Sequence, residues 1–573
     1  MPPVQPSAAN AAPPADGGAT SGARTWWIVL RTGASWLLTA AAVLLVWICL
    51  VAPNELGGLA PGMLVRIPLE ALLFVALILV LPSKASRIAA VVVGVALAVL
   101  TILKVLDAGF TAALGRPFDP EVDWNYAGSA VDLLRDAVGP TMANVVAVLV
   151  VAAAVGLLVF VPLAVRRLTR ILSRHRTVSL RAVVALGVVW VIFAVVGVQG
   201  ATGGPIASTS AAELAVHEVG RVVAGIEDQR AFTQAVAADA FSDVPADELL
   251  TGLRGKDVII AFVESYGRVA VQDSAFSPPI NALLDDGTQR LKDAGFSAKS
   301  AFLTSATFGG ISWLAHATLQ SGLWVNNQIR YDDVVASDRF TLAYAFKKAG
   351  WRTVSDIPSD NREWIPGTEF YHYDQLYDSR NVGYRGPSFS YATMPDQYTL
   401  AALRRLELDK ADRPPVMAEI DFVSSHTPWT PIPRMVPWED IGNGSVFNGM
   451  PEQGRKPNDV WRNGDDVRAA YGKSIEYSLS ALISYVETYG DDNLVLVVLG
   501  DHQPAAVVSG NGASHDVPIS IISRDPAVMD RISAWGWQDG MRPHPDAPVW
   551  PMDSFRDRFL TAYGPKPDAS STN

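Results

Sequence analysis

The chain has 573 residues, which is longer than one domain and enough to bury a large core. Its hydrophobic fraction of 49%, its charged fraction of 18% and its mean hydropathy of +0.20 indicate membrane segments. The net charge of −11, without a basic domain, argues against a nucleic-acid partner. The one cysteine, Cys49, excludes a disulfide framework and a cysteine-based zinc site.

The first part of the chain contains five apolar runs, each close to the roughly 20 residues that cross a bilayer. They cover residues 33–53, 64–82, 88–107, 142–165 and 181–199. Positive residues are concentrated before the first run, between the second and third, and between the fourth and fifth, as in cytoplasmic loops. We therefore predict a five-helix transmembrane domain over 26–200. The chain would be a multi-pass plasma-membrane protein with a cytoplasmic N-terminus and an extracytoplasmic remainder.

Composition also divides the rest of the chain. Residues 1–25, rich in Pro, Ala, Gly and Ser, predict a disordered cytoplasmic tail, and 566–573 predict a second disordered tail. Residues 201–252 mix small apolar and charged residues and are interpreted as an amphipathic linker. Between 253 and 565, apolar strands alternate with amphipathic helices. This alternation favours an α/β domain with a largely parallel central sheet.

Polar residues follow two predicted strands at their carboxyl ends, where open α/β sheets bind ligands. Glu264 follows the strand at 258–263, and Asp501 and His502 follow the strand at 494–499. Two carboxylates and an imidazole offer a divalent metal ion oxygen and nitrogen ligands. Taken alone, Glu264 could be an ordinary surface glutamate, and Asp501-His502 could be a solvated turn after a strand. Together they predict a metal site.

A third motif places a hydroxyl at a predicted helix start. Ser312 follows Gly309-Gly310-Ile311, and Ser321-Gly322 closes the helix. The positive field at a helix N-terminus favours an alkoxide and a bound phosphate. Such a serine is more often only a helix cap. In a phosphate-binding site, however, the cap and the nucleophile can be the same residue.

The order of the three motifs (strand-Glu264, Gly-Gly-x-Ser312, and Gly500-Asp501-His502) resembles the sulfatase-like branch of the alkaline phosphatase superfamily. With the apolar runs, the chain is most similar to lipoteichoic acid synthases and then to lipid A phosphoethanolamine transferases. The resemblance implies an alkaline phosphatase/sulfatase-like catalytic domain. It also implies a divalent metal ion, Mn²⁺, Mg²⁺ or Zn²⁺, held by Glu264, Ser312, Asp501 and His502.

The same resemblance assigns roles in catalysis. Ser312 would be the nucleophile, with Thr307 as the fallback, and no Pro/Arg frame for conversion to formylglycine follows it. A phosphate ester is therefore favoured over a sulfate ester. His426 in His-x-Pro and His515 in His-x-x-Pro would bind phosphate oxygens or protonate the leaving group. For substrate contacts we predict a further set: His316, Trp364, His372 and Trp429.

The function implied is metal-dependent transfer of a phospholipid headgroup, phosphoglycerol or phosphoethanolamine, through a phosphoserine intermediate. The acceptor would be a glycan or lipid of the cell envelope. A phosphodiesterase or sulfatase-like hydrolase on the same site is one alternative, since water could replace the acceptor. A non-catalytic envelope-assembly or sensor protein is the other, but it would have no need of all four metal ligands together.

Overall fold

The structure, a computed structural model, describes residues 20–52, 65–120, 123–126, 128, 131, 135, 140–199 and 206–564. The predicted tails fall on residues 1–19 and 566–573, which lie outside this described part, whereas residues 20–25 already belong to a helix. The chain forms two compact units, Met1–Lys104 with Val151–His217 and Val105–Val150 with Glu218–Asn573. We call the first the membrane unit and the second the sheet unit.

The described residues of the predicted apolar runs are mostly helical. The described helices of this part of the chain are α1 Thr20–Val51, α2 Leu69–Val80, α3 Ser83–Leu114, α4 Pro140–Arg174 and α5 Arg176–Val196. Among the described residues, four of these helices are long and apolar enough to cross a membrane. In α4 and α5 only 6% of the most apolar window is buried inside the protein. Apolar surface of this extent is stable against lipid and not against water, so the chain is a membrane protein.

The second apolar run gives a shorter helix than predicted. Helix α2 has 12 residues, which span about 18 Å at 1.5 Å per residue, against a hydrocarbon core of about 30 Å. Pro68 stands at its N-cap and Pro82 follows its C-cap Leu81, and proline disfavours continuation of a helix because it lacks the backbone N–H and its ring clashes with the preceding turn. The count of five membrane-spanning helices is therefore not confirmed. The orientation in the membrane stays a prediction.

The sheet unit is built on a mixed sheet. In the described part of the chain this sheet has nine strands: β3 Asp257–Val263, β4 Ser297–Thr304, β5 Arg352–Ile357, β6 Gln375–Asp378, β7 Val416–Phe422, β8 Leu494–Gly500, β9 Asp516–Ser523, β10 Gln538–Asp539 and β11 Val549–Pro551. Their order is β10-β4-β9-β8-β3-β7-β5-β6, and β11 pairs with β4. A separate pair, β1 Ile67–Pro68 and β2 Ala207–Ser208, lies in the membrane unit.

The sheet is parallel from β8 through β3, β7 and β5 to β6, and β11 also runs parallel to β4. Strand β9 runs antiparallel to both β8 and β4, and β10 runs antiparallel to β4. The chain returns from β8 to β9 through residues 501–515, which contain only the short helix Ala506–Ser509 and no full crossover helix. The prediction of a largely parallel sheet is therefore not confirmed.

Helices cover both faces of the sheet. Those of seven or more residues are α6 Ser210–Ala237 in the predicted linker, α7 Ser277–Asp293, α8 Ser312–Ser321, α9 Gln328–Val335, α10 Leu342–Lys348, α11 Asp396–Leu403, α12 Gly464–Tyr489 and α13 Ser554–Tyr563. Alternate residues of β3 enter two separate cores. Ile259 and Ala261 pack with α7 and α12, while Ile260 and Phe262 pack with α8, α10 and α13. Burial on both faces explains the uninterrupted apolar sequence of β3.

Candidate active site

The central strands end at one edge of the sheet. Val263 of β3 is level with Gly500 of β8 and with Phe422 of β7. A Cβ atom on Gly500 would lie 1.9 Å from the Tyr266 carbonyl oxygen, so this close approach requires glycine. The register therefore brings the residues after β3, β7 and β8 together, although they are far apart in sequence.

Ser312 joins these strand ends as the first residue of α8. Its Oγ lies 3.0 Å from Glu264 Oε2 and 3.2 Å from His502 Nε2. The preceding residue, Ile311, has a φ of +67°, which is rare and strained for a β-branched residue. This strained turn sets the direction in which α8 starts, and the Ser312 hydroxyl donates to a carboxylate across the sheet edge.

The backbone orients Asp501 and His502. Asp501 Oδ1 accepts hydrogen bonds of 2.7 Å from the backbone N–H groups of Ser265 and His502. His502 Nδ1 lies 2.9 Å from the Gln503 carbonyl oxygen, which places its proton on Nδ1 and turns Nε2 toward Glu264. A ring nitrogen held in this way is typical of histidines that bind metals. Ligand atoms of Glu264, Asp501 and His502 all lie within 4.8 Å of one another, so this donor set fits a divalent cation.

The charges of these three groups depend on one another. Burial disfavours the Glu264 carboxylate, but His502 and His426 outweigh this effect and hold the pKa of Glu264 well below its usual value. Burial lowers the pKa of His502, yet the Asp501 and Glu264 carboxylates raise it to about 9. Burial and the Glu264 charge raise the pKa of Asp501 to about 7. Without a cation, protons compensate the facing carboxylates, and a divalent cation would displace them.

A pocket of about 490 Å³ opens beside Ser312. Its lining contains the aromatic side chains Trp313, Tyr331, Trp364, Tyr371 and Tyr391 together with polar groups. His426 also borders it, and its ring stacks on Tyr391 with centroids 3.4 Å apart. An aromatic wall with a few convergent polar groups is typical of a small-molecule site.

A second polar cluster borders the same pocket. His316 Nδ1 lies 3.0 Å from Glu419 Oε1 and 3.5 Å from Asp421 Oδ1, and its ring stacks on Phe262. Burial disfavours the imidazolium, but Asp421 and Glu419 raise the pKa of His316 to about 9. His316 therefore presents a protonated ring to the pocket at neutral pH. The cluster also offers three ligand atoms within 4.8 Å, and Tyr373 Oη fixes Glu419 by a hydrogen bond of 2.9 Å.

The sequence analysis missed Glu419 and Asp421. Both lie on β7, two residues apart and on one face, in an otherwise apolar strand that leads to His426. Two acidic residues at alternate positions of a buried strand are the signal that could have identified them.

The structure brings most of the predicted site residues together. Six of them border the pocket: Glu264, Ser312, His316, Trp364, His426 and Asp501. A seventh, His502, is completely buried beside Ser312.

Four other predicted residues do not border the pocket. The His515 ring packs against Phe308, with centroids 5.2 Å apart, and the His372 ring packs against Tyr344 at 4.3 Å. Trp429 is buried in a stack with Trp461, with centroids 5.7 Å apart. The Thr307 hydroxyl is buried, with no hydrogen-bond partner in the described part of the chain.

The fold and the site therefore define an α/β protein that has a hydroxyl, two carboxylates and an imidazole at the carboxyl edge of its central strands. No protein-family model matches the chain, and no curated protein sequence matches it. Solved structures do match. The integral membrane lipooligosaccharide phosphoethanolamine transferase A (EptA) of Neisseria meningitidis is 12% identical over 86% of this chain and 89% of that chain, with a TM-score of 0.41.

Two further matches cover a smaller share of the chain. The lipoteichoic acid synthase LtaP of Listeria monocytogenes is 14% identical over 59% of this chain and 78% of that chain, with a TM-score of 0.35. The phosphoglycerol transferase GacH of Streptococcus pyogenes, in complex with sn-glycerol-1-phosphate, is 12% identical over 59% of this chain and 90% of that chain, with a TM-score of 0.33. A lipoteichoic acid synthase and a phosphoethanolamine transferase, the two kinds of enzyme that the sequence resembles, are thus among the structures similar to this chain. All three TM-scores are below 0.5, so the chemistry proposed for this chain rests on its own residues.

Proposed function

We propose that this chain is a metal-dependent phosphotransferase with Ser312 as its nucleophile. The observation that carries the proposal is the position of Ser312 Oγ, 3.0 Å from Glu264 Oε2 and 3.2 Å from His502 Nε2, at the edge of the aromatic pocket. A hydroxyl flanked by a carboxylate and an imidazole has the activating neighbours that nucleophilic catalysis requires.

Glu264, Ser312, Asp501 and His502 would hold the metal ion, and Mn²⁺, Mg²⁺ or Zn²⁺ suits their oxygen and nitrogen donors. When bound, the ion would lower the pKa of the Ser312 hydroxyl and neutralise charge that develops on the phosphate. The protein fixes the donor geometry in advance, because backbone groups hold both Asp501 and His502.

The reaction would have two half-steps. In the first, Ser312 Oγ passes its hydroxyl proton to Glu264 Oε2, to which it donates, and forms a bond to the phosphorus of a phospholipid headgroup, while the bond from phosphorus to the diacylglycerol oxygen breaks. The leaving oxygen takes a proton from His316, which is protonated at neutral pH and borders the pocket. In the second, an acceptor hydroxyl gives its proton to His316 and bonds to phosphorus, the bond from phosphorus to Ser312 Oγ breaks, and Glu264 returns the proton to Ser312 Oγ. His426, at the rim of the pocket, is the second proton donor to test.

The donor we propose is a membrane phospholipid with a phosphoglycerol or phosphoethanolamine headgroup, and the acceptor is a cell-envelope glycan or lipid. The pocket volume of about 490 Å³ supports a headgroup-sized ligand. The apolar helices would keep the enzyme in the bilayer that contains the donor, which raises its effective concentration. The distribution of Arg and Lys supports a cytoplasmic N-terminus and an extracytoplasmic catalytic domain.

The test traps the covalent intermediate. Full-length protein with a divalent metal ion is incubated with phosphatidylglycerol or phosphatidylethanolamine, and the peptide 304–324 is analysed by mass spectrometry. We expect a phosphoglycerol or phosphoethanolamine adduct on Ser312, with release of diacylglycerol. A labelled acceptor shows transfer, and a free headgroup phosphate shows hydrolysis on the same site. Absence of both the adduct and turnover with all three metals would refute the proposal.

A further inference from the structure

A second polar pocket, of about 600 Å³, lies in the membrane unit among the ends of α2, α3, α4 and α5. We call it the arginine pocket, because five arginines border it: Arg87, Arg166, Arg170, Arg174 and Arg176. No carboxylate is among the described residues that line it. Arg176 donates to the carbonyl oxygen of Leu79 in the last turn of α2, where helix carbonyls lack partners of their own.

Three of these arginines are like charges on one helix face. Arg166, Arg170 and Arg174 follow one another at intervals of four residues in α4, and like charges at this spacing destabilise a helix. Within the described residues none of the three has an ion-pair or hydrogen-bond partner. Their neighbour Arg167 is different, since it donates to Thr39 Oγ1 at 3.0 Å and to Ser35 Oγ at 3.0 Å. An anion in the arginine pocket would relieve the repulsion among the three.

A buried hydroxyl independently indicates a ligand. Thr169 is 5% exposed and borders the arginine pocket, and its Oγ1 has no hydrogen-bond partner in the described chain. Threonine hydroxyls inside helices usually donate to the carbonyl four residues earlier, as Thr101 does to Leu97 at 2.7 Å. Thr169 does not, so its hydroxyl is available to a group bound in the pocket.

Thr169 also borders an adjoining apolar cavity of about 360 Å³. Side chains of α1 to α4, among them Trp47, Phe74, Leu97 and Leu168, line this cavity. Its one acidic lining residue in the described chain, Glu70, accepts a hydrogen bond of 2.9 Å from the Ala212 backbone. The two cavities therefore present a cationic end and an apolar end that meet at Thr169, which matches a molecule with an anionic head and a hydrocarbon chain.

We propose that the membrane unit binds an anionic phospholipid here, with the headgroup phosphate among Arg166, Arg170 and Arg174 and an acyl chain in the apolar cavity. Basic pockets between membrane helices are suited to anionic headgroups, and guanidinium groups form charge-assisted hydrogen bonds with phosphate. The site lies wholly within the membrane unit and involves no covalent step. It is independent of the proposed phosphotransfer, so either can fail without the other.

The test uses full-length protein, delipidated in dodecyl maltoside. It is titrated with phosphatidic acid, with phosphatidylcholine of the same chains, and with water-soluble glycerol phosphate; bound lipid is counted by native mass spectrometry and thermal unfolding is followed. We expect one phosphatidic acid to bind at least about tenfold more tightly than phosphatidylcholine and to raise the melting temperature. Equal binding of the two lipids would overturn the headgroup assignment. Equal binding of glycerol phosphate would show a free-anion site and overturn the lipid assignment.

The variants locate the site. Arg166→Gln/Arg170→Gln is expected to weaken phosphatidic acid binding at least about tenfold, because two charge-assisted contacts are lost. The matched control Lys84→Gln/Arg181→Gln also removes two positive charges, from exposed positions that do not border the arginine pocket, and should bind as the wild type does. An equal loss in the control would show attraction by overall charge and overturn the proposal. Thr169→Val, which keeps the shape and the charge, should weaken binding several-fold and serves as the readout if the double variant does not fold.

Discussion

Replacement of Ser312 by alanine is the most direct test of the active site. The side chain is half-buried and its hydroxyl contacts Glu264 and His502. Loss of one hydrogen bond at such a position changes the free energy of unfolding by about 1 kcal/mol, so the variant should fold. Any large loss of activity would then support Ser312 as the nucleophile.

The expected loss follows from the fixed position of the hydroxyl. A well-positioned group reacts as though it were present at about 10⁵ M or more, whereas the water that would replace it is present at roughly 50 M. The kcat of Ser312→Ala should therefore fall by about 10³-fold or more, which is about 4 kcal/mol in activation free energy. The residual rate would come from the remaining donors and the bound metal ion.

The assay is release of p-nitrophenol from bis-p-nitrophenyl phosphate by full-length protein with added Mn²⁺, with the melting temperature as a check on folding. Thr307→Val is the matched control. It removes a hydroxyl from the same loop, keeps the shape of the side chain, and loses no hydrogen bond among the described residues. It should keep the wild-type rate within about twofold. A wild-type rate in Ser312→Ala, or a large loss in Thr307→Val with the adduct on Thr307, would refute the assignment of the nucleophile.

Three further predictions test the metal site, the proton donor and a buried carboxylate of the sheet. Chelation with EDTA should abolish activity, and added Mn²⁺, Mg²⁺ or Zn²⁺ should restore it. Glu264→Gln should weaken metal binding at least about tenfold, measured by calorimetry, and the exposed control Glu248→Gln should not. Because His316 has a pKa of about 9 and must carry a proton to act as an acid, the rate should fall as the pH rises through about 9, and His316→Gln should lower the rate and remove this alkaline limb. Both oxygens of Asp356 are buried without a partner in the described chain, and burial raises its pKa to about 8, so the folded state keeps a proton that the unfolded chain loses above pH 4. The free energy of unfolding should therefore fall by up to about 1.4 kcal/mol per pH unit as the pH rises toward 8. Asp356→Asn should have a higher melting temperature than the wild type at pH 8 and a more nearly equal one at pH 5. An equal gain for the exposed Asp338→Asn, or no gain for Asp356→Asn, would contradict this reasoning.

The parts of the site that follow buried strands were accessible from the sequence. The apolar runs of β3 and β8 mark their own ends, and parallel neighbours end at a common edge. Glu264, Asp501 and His502 could therefore be grouped before any geometry was known. Helix α8 was also marked, because glycines precede Ser312 and Gly322 follows the helix.

Other features depend on packing that no local pattern contains. The hydropathy of 64–82 records how many apolar residues occur together, but Pro68 and Pro82 set the length of α2. The direction of β9 depends on how the loop from β8 returns. The orientation of a loop side chain is equally nonlocal: the His-x-Pro and His-x-x-Pro patterns look alike, yet His426 borders the pocket and His515 packs on Phe308.

Glu419 and Asp421 belong to none of the sequence motifs, yet they determine the protonation of His316. His316 and His502 each lie between two carboxylates, and for that reason each has a pKa of about 9. Their surroundings nevertheless give them different uses. His502 is fully buried, its Nδ1 is held by a carbonyl oxygen, and its Nε2 faces Ser312. The proton on Nε2 can therefore be exchanged for a cation but not delivered to a substrate. The His316 ring borders the open pocket, so its proton can reach a leaving oxygen. Two imidazoles with similar pKa values would thus have different roles, with His502 holding the metal ion and His316 transferring the proton.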